Sequence, residues 1–531
     1  MREWKAPNPV HLHASLRPGA LACVDLATGR RWTYAELNDA VGRAAFVLSD
    51  IHAVARGERI AAVARNSVDF IILQQAAMRI GAIFVPINWR LSAMEQEQIL
   101  LDCKPSFVFT DADFSQMSVK GARSLAMADF IAAVAKAKTK TTWPTISADA
   151  PAILLYTSGT SGRPKGVMLS ARNMFATAVN FGVLGEVSQE SVFLCDTPMF
   201  HVIGLVTSIQ APFLQGATVL ISGGFDPVAT NDRLADAALA VTHYFCVPQM
   251  ADALRKAENF HPEGWASLKA LFTGGAPNPP ANIRWWLDQG ILMVDGYGMS
   301  EAGTLLGMPL NPAIIAKKAG SVGLPPPDMS LRIVAESGAD AQAGEVGEVL
   351  VCGPNVSAGY WACPDENARA FTDDGWLRTG DLARADADGY VTVVDRRKDL
   401  FISGGENVYP AEVEAALMEH PSVREAAVVG IPDERWGEVG RAYIVLHGGA
   451  TAPAVDLAAH CSALIARFKV PKEFVLIDAL PRNGAGKILK RELRRLALGE
   501  NQEPDLIADI PHPASTSTSP SAKFEGLAAE N

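Results

Sequence analysis

The chain has 531 residues, too many for one ordinary domain and enough for two or three. Lys and Arg total 47 against 58 Asp and Glu, a net charge of −11, which argues against a general nucleic-acid binder, since that needs a basic footprint, and otherwise reads as solubility. Apolar residues make up 49% and charged residues 20%, the balance of a soluble globular enzyme. The seven cysteines are scattered, odd in number and free of any CxxC spacing. They predict reduced thiols in a cytoplasmic protein, not a disulfide framework or a zinc site.

The opening MREWKAPNPV lacks an apolar h-region, so no signal peptide is expected. Thr33-Tyr34-Ala35-Glu36 is a capping box, and Leu37, Val41, Ala44, Leu48 and Ile51 follow at helical spacing. A strand is predicted over 59–64, a helix over 69–80, a turn at Gly81 and a strand ending near Pro86. Gln74, Gln75 and Arg79 interrupt this stretch, so it reads as buried helix and strand, not as a transmembrane segment. The strand–helix alternation continues for several hundred residues, the pattern of an α/β domain with parallel-rich sheets.

Three apolar strands run straight into glycine-rich loops: 152–156 into TSGTSGRPKG, 268–273 into GGAP, and 291–295 into GYGMSE. Ligands of open α/β sheets sit beyond the carboxyl ends of strands, so the three loops predict one crevice. After about Gly344 the pattern turns to antiparallel β structure, with Asp388-Gly389 as a hairpin turn. A compact α+β unit begins near 395–399. Its helix opens at Pro410, strands follow at 426–429, 442–446 and 473–477, and a helix spans about 455–468. The expected division is therefore a large domain over 1–395 and a small mobile domain over 396–500. Residues 501–531, acidic and then rich in Ser, Thr and Pro, are expected to form a disordered tail.

The strongest local signal is YTSGTSGRPKG. Gly159, Gly162 and Gly166 expose backbone N–H groups, Thr157, Ser158, Thr160 and Ser161 add hydroxyls, and Lys165 adds charge. Converging donors of this kind suit a polyphosphate. The spacing is not that of a Walker A loop. GYGMSE ends in Glu301 and so departs from the dinucleotide fingerprint; a carboxylate beside a phosphate loop suits Mg²⁺ and Tyr297 offers a flat face to a purine, while the segment alone reads equally as a capped turn. Asp381 in WLRTGD suits ribose hydroxyls and Arg396 follows in DRRKD, although each taken separately reads more often as a surface charge. Lys487 in PRNGAGK precedes a basic, solvated helix; a role for it requires the small C-terminal unit to swing over the crevice. His201 in PMFHVIGL is a lone histidine in an apolar setting, which on its residues alone reads as structural.

Taken together and in order, YTSGTSGRPKG, GYGMSE, WLRTGD, DRRKDLFISGGENVYP and PRNGAGK resemble the adenylate-forming superfamily over about residues 10–500. The resemblance implies ATP, Mg²⁺ and coenzyme A as cofactor and co-substrates. It matches Thr157, Ser158, Gly159, Thr160, Ser161, Gly162 and Lys165 to the phosphate loop, and Gly275, Ala276 and Tyr297 to the adenine surface. Ser300 matches a hydroxyl near the phosphate and carboxylate, where the family usually carries Thr. Glu301 matches the magnesium-associated glutamate, and Asp381 and Arg396 the ribose contacts. Lys487 matches the lysine that bridges substrate carboxylate and α-phosphate, Lys398 the hinge, and Gly404 and Gly405 the pantetheine approach. His201 matches a residue where acyl pocket and thiol tunnel meet.

The implied reaction joins a carboxylic acid to coenzyme A through an acyl-adenylate. ISGGENVYP is closer to CoA ligases than to luciferases, and an aromatic acid of the feruloyl type is the favoured substrate, with pocket positions expected at His201, 244–249, 273–274 and 299–303. Medium- or long-chain fatty acids are the alternative, as is an acyl-AMP ligase loading a separate carrier protein. A nucleotide-binding regulator without catalysis would be expected to lose Lys487 or Glu301, and both are present. Monomer and homodimer both remain open.

Overall fold

The computed structural model describes residues 5–114, 121–140, 142–158, 164–276, 278–403, 406–433, 435–482, 487–498 and the backbone of 506–509. The described residues divide into two compact units: one holds those up to Lys398 together with Arg482 and Lys487, the other those within 399–481 and from Ile488 onward.

The first unit contains two parallel-rich sheets and a smaller antiparallel one. The larger sheet runs in the order Gly303–Gly307, Met293–Met299, Ala270–Thr273, His243–Cys246, Val192–Cys195, Thr218–Ile221, Leu21–Asp25, Arg31–Thr33. Its inner strands are parallel and the two outermost are antiparallel to their neighbours. Such strands are covered on both faces, which is why LACVD, TVLI and ALFT read as nearly continuous apolar runs. The second sheet places Arg59–Val63, Ile83–Pro86 and Phe107–Thr110 in parallel and ends in the antiparallel pair Pro151–Ser158 and Pro164–Ser170. The third sheet, all antiparallel, joins Ser330–Val334, Gly347–Cys352, Leu377–Ala385 and Val391–Arg396. Gly389, at φ +85°, occupies the predicted turn of its last hairpin.

Local signals in the sequence account for several boundaries. Thr33 and Glu36 form the reciprocal capping box that opens the Tyr34–Phe46 helix, and Ser67 caps Val68–Ile80, which ends at Gly81 in the left-handed region. The first of these helices was expected to reach Ile51; it finishes as a π-helical turn over Val47–Ile51.

GYGMSE, expected as a loop, is mostly strand. Parallel pairing stops at the Thr273–Asp295 register, after which Gly296 and Tyr297 pair antiparallel with Gly307 and Leu306. Only the tip, Ser300 to Ala302, is a turn. The hairpin gives this segment's backbone groups the partners that a buried loop would lack. Gly303 is required where the hairpin returns. Its φ is +61°, and a Cβ there would lie 2.2 Å from Thr177 Oγ1.

The second unit is α+β. The hairpin Val423–Asp433/Gly437–Leu446 has Glu473–Leu476 parallel to its second strand. Val413 and Leu417 of the Pro410–Met418 helix and Leu457 of Ala454–Leu464 pack on Val428, Ile444 and Phe474. On the other face, Leu493 of the Lys490–Ala497 helix packs with Val429 and Tyr443. That helix is less free than its charge suggested: Lys490 pairs with Glu414 at 2.7 Å and Arg494 with Asp399 at 2.9 Å. The helix expected to about 468 ends at Leu464, where Ile465 and Ala466 turn extended, and Arg467–Lys469 forms a separate 3₁₀ turn. Within the segment expected to be a disordered tail, Leu506–Asp509 instead forms a strand antiparallel to Glu473–Leu476, adding backbone hydrogen bonds at that sheet's edge. The rest of that segment lies outside the described residues.

Candidate active site

The tips of the larger sheet stand side by side, since Cys246 is in register with Thr273, and Thr273 with Asp295. GGAP and GYGM therefore leave neighbouring strands at the same level. Gly275 stands just beyond Thr273 at φ +79°, and a Cβ on it would meet Ile203 Cδ1 at 3.5 Å and Val247 Cγ1 at 3.9 Å. Ala276 beside it is half-buried. A Cβ on Gly274 would meet the Phe245 ring at 3.5 Å. Strand alternation sends Tyr244 to the opposite face. Its hydroxyl donates to buried Asp196 at 3.2 Å, so Tyr244, expected among pocket residues, belongs to the core.

Asp295 was not singled out by the sequence. Its Oδ1 accepts the Thr273 hydroxyl at 2.9 Å and the Gly296 N–H at 3.2 Å, and burial pushes its carboxyl up to about 7.

Tyr297, Asp381 and Arg396 meet. The Tyr297 hydroxyl donates to Asp381 Oδ2 at 2.5 Å, and Arg396 Nε lies 3.2 Å from Asp381 Oδ1. Asp381 and Arg396 are directly opposed in the hairpin of the antiparallel sheet. The residue pair named for ribose is thus fixed by strand register, 84 positions from the tyrosine it joins. Burial, then the neighbouring Asp381, raises the Tyr297 phenol well above its ordinary range, so it stays a donor.

Glu301, on the hairpin tip, is buried, and its Oε1 accepts the Tyr360 hydroxyl at 2.8 Å. The same Tyr360 ring lies 5.4 Å from Lys165 Nζ, and Lys165 forms an ion pair with Glu366 at 2.6 Å. Backbone bonds fasten the tyrosine segment to the Pro164–Ser170 strand: Trp361 N–H donates to Gly166 O at 2.7 Å and Met168 N–H to Gly359 O at 2.9 Å. Tyr360 and Glu366 carried no signal in the sequence, because their partners lie 59 and 201 positions away. Thr157 is opposite Lys165 across this hairpin, with Ser158 at the end of its strand. Gly159, Thr160, Ser161 and Gly162 lie outside the described residues, as do Gly404 and Gly405. Ser300 is half-buried in the turn before Glu301.

His201 precedes a π-helical turn over Ile203–Thr207, a distortion frequent at functional sites. Burial, and then Arg90, lowers its imidazole to about 4, so it is neutral at ordinary pH. Its Nε2 is buried without a hydrogen-bond partner among the described residues, against the Phe200 ring at 4.7 Å. Buried polar atoms are normally satisfied, so this nitrogen is an exception in the apolar setting of His201. Lys487 is exposed, and Lys398 ends the first unit.

Among the described residues no cluster of three or more His, Cys, Asp and Glu converges. A buried single carboxylate suits Mg²⁺, which binds through one or two carboxylates plus substrate phosphates and water. Glu301 fits that donor set. No helix among the described residues is long and apolar enough to cross a membrane.

The chain belongs to the AMP-binding enzyme family, whose sequence profile matches residues 10–361, with the AMP-binding enzyme C-terminal domain matching 412–487. It is an ATP-dependent, AMP-forming acid–CoA ligase. It is similar to a feruloyl-CoA synthase of an Amycolatopsis species, with 38% identity over 88% of this chain and 94% of the relative. It is also similar to an indoleacetate–CoA ligase of Aromatoleum aromaticum, with 36% identity over 93% and 98%. Among solved structures it resembles the O-succinylbenzoate coenzyme A synthetase of Bacillus subtilis in complex with ATP and magnesium ion. There the TM-score is 0.83 and the identity 31%, over 92% of this chain and all of that one.

Proposed function

We propose that the acid is aromatic, of the hydroxycinnamate type exemplified by ferulate. The observation that carries this reading is the apolar floor at the sheet tips: Ile203, Phe245 and Val247 surround Gly274 and Gly275, and the nearby histidine is neutral. A flat, uncharged ring suits such a surface, and each large buried aromatic group adds substantial apolar burial. Both aromatic-acid relatives agree with it.

ATP with Mg²⁺, and then coenzyme A, serve the reaction. A carboxylate is a poor acyl donor because its oxygen leaves badly. Attack on the α-phosphate gives an acyl-adenylate and pyrophosphate; the CoA thiol then displaces AMP. Two anions must meet in the first step, so positive charge and donors are needed where charge develops. In this reading the 157–162 loop and Lys165 take the phosphates, Gly275, Ala276 and Tyr297 the adenine, and Asp381 with Arg396 the ribose. Glu301 would hold Mg²⁺, which supplies charge neutralisation when bound, with Ser300 beside it. Lys487 bridges carboxylate and α-phosphate, and the 396–500 domain turns at Lys398 to bring Gly404 and Gly405 to the pantetheine arm. His201 borders the acyl pocket. The free thiols suit a reducing compartment, so the cytoplasm is the proposed location.

Pyrophosphate release over a panel of acids, with and without CoA, tests the assignment. Ferulate and related cinnamates should outperform medium- and long-chain fatty acids in kcat/KM, with acyl-CoA as product. A fatty acid preferred by tenfold or more refutes the aromatic reading, and adenylation with no transfer to free CoA would favour a carrier-protein acceptor.

A further inference from the structure

We propose that Glu366 is a resident counter-anion of Lys165, exchanged for the polyphosphate when ATP binds and restored when pyrophosphate leaves. The proposal rests on the reading that Lys165 meets the nucleotide phosphates. Lys165 Nζ is 2.6 Å from Glu366 Oε2, and the two side chains are 12% and 33% exposed. The lysine is therefore held, not waving in solvent, and what holds it has the charge of the ligand it awaits. Phosphate oxygens and this carboxylate cannot both sit against one ammonium without like-charge repulsion.

The surroundings suit an exchange better than a fixed clamp. Glu366 is the more exposed member of the pair, and it has a second cation, Arg369, at 3.5 Å. Once displaced it has both water and Arg369 to turn to. Lys165 keeps a different hold, the Tyr360 ring 5.4 Å away, which attracts the ammonium whatever anion it carries. Tyr360 is itself tied to Glu301 by its hydroxyl. The ammonium thus stays stationed near the hairpin tip while its anionic partner changes. The carboxylate is held below its ordinary range chiefly by the lysine hydrogen bond, so it remains an anion throughout neutral pH.

A Glu366→Gln substitution in the full-length enzyme separates exchange from clamping. Exchange predicts that ATP binds more tightly without the competing carboxylate. The KM for ATP should fall roughly two- to fivefold, the scale of a partly exposed ion pair. Product inhibition by pyrophosphate should strengthen by a similar factor, with the KM values for acid and CoA unmoved. Glu366→Asp, which keeps the anion, should shift the ATP KM less than Gln does. Lys165→Ala should raise the ATP KM and abolish any effect of Glu366→Gln in the double variant. An ATP KM that rises or stays constant in Glu366→Gln, while Lys165→Ala raises it, overturns the exchange and leaves Lys165 in place. An unchanged ATP KM in Lys165→Ala overturns the phosphate role of Lys165, and the exchange with it.

Discussion

Asp381→Asn probes the ribose contact with little change of shape. In the parent, one carboxylate oxygen accepts the Tyr297 hydroxyl and the other forms an ion pair with Arg396, whose Nε lies 3.2 Å away. An asparagine has only one acceptor oxygen. Arg396 cannot accept a hydrogen bond, so that oxygen must face it, and the new NH₂ must face Tyr297. The Tyr297 hydroxyl can reverse and accept, which keeps the buried network satisfied. The fold cost should therefore be modest, about 1 kcal/mol, as for one neutral hydrogen bond exchanged. Nucleotide binding should suffer more. Hydrogen bonds to a charged acceptor contribute about 1.5–3 kcal/mol, and a loss of about 2 kcal/mol is roughly thirtyfold in Kd. Calorimetric titration of magnesium-ATP into the full-length variant measures this directly, with a thermal melt as the folding control. An ATP Kd within twofold of the parent's would refute the assignment of Asp381 to the ribose.

Lys487→Ala should cost adenylation about 3 kcal/mol or more, the scale of one charge-stabilising donor. Chemically made acyl-adenylate should still be converted to thioester; full pyrophosphate exchange with impaired thioester formation would reverse the assignment. Gly303→Ala should destabilise the first unit by about 2–4 kcal/mol, from left-handed strain plus overlap with Thr177. A Thr177→Ala partner change should recover the overlap part, read as a partial return of the melting midpoint. Asp295 titrates near 7 in the fold against an ordinary value of 3.8. A raised carboxyl binds its proton more tightly when folded, so its stabilising contribution is complete below about pH 4 and is lost as pH rises through 7. Relative to Asp295→Asn, the parent should melt progressively lower from pH 5 to pH 8; parallel curves would show that Asp295 does not titrate in this range.

Much of the architecture follows from local pattern. The capping box at Thr33, the glycine stop at Gly81 and the apolar strand runs each act within a few residues. So does the first turn of the Pro410–Met418 helix. Strand order does not follow, because Leu21–Asp25 takes its place beside Thr218–Ile221 only through pairing across nearly two hundred residues. The same division governs the site. Lys165, Glu301 and Tyr297 could be singled out from the chemistry of their own segments, whereas Asp381 and Arg396 stood out only through the family resemblance, each alone reading as a surface charge. Tyr360, Glu366 and Asp295 could not, since what distinguishes them is a partner on another element. Tyr244 shows the converse error: proximity in sequence to pocket residues says nothing about which face of a strand a side chain takes.

The strand Leu506–Asp509 bears on how the protein is handled. Glu473–Leu476 has Gly437–Leu446 on one side and Leu506–Asp509 on the other. Trimming the chain at residue 500, as its composition invites, would bare a row of backbone donors and acceptors. A shortened protein would thereby gain an adhesive border open to other chains, and clumping on concentration is the expected consequence.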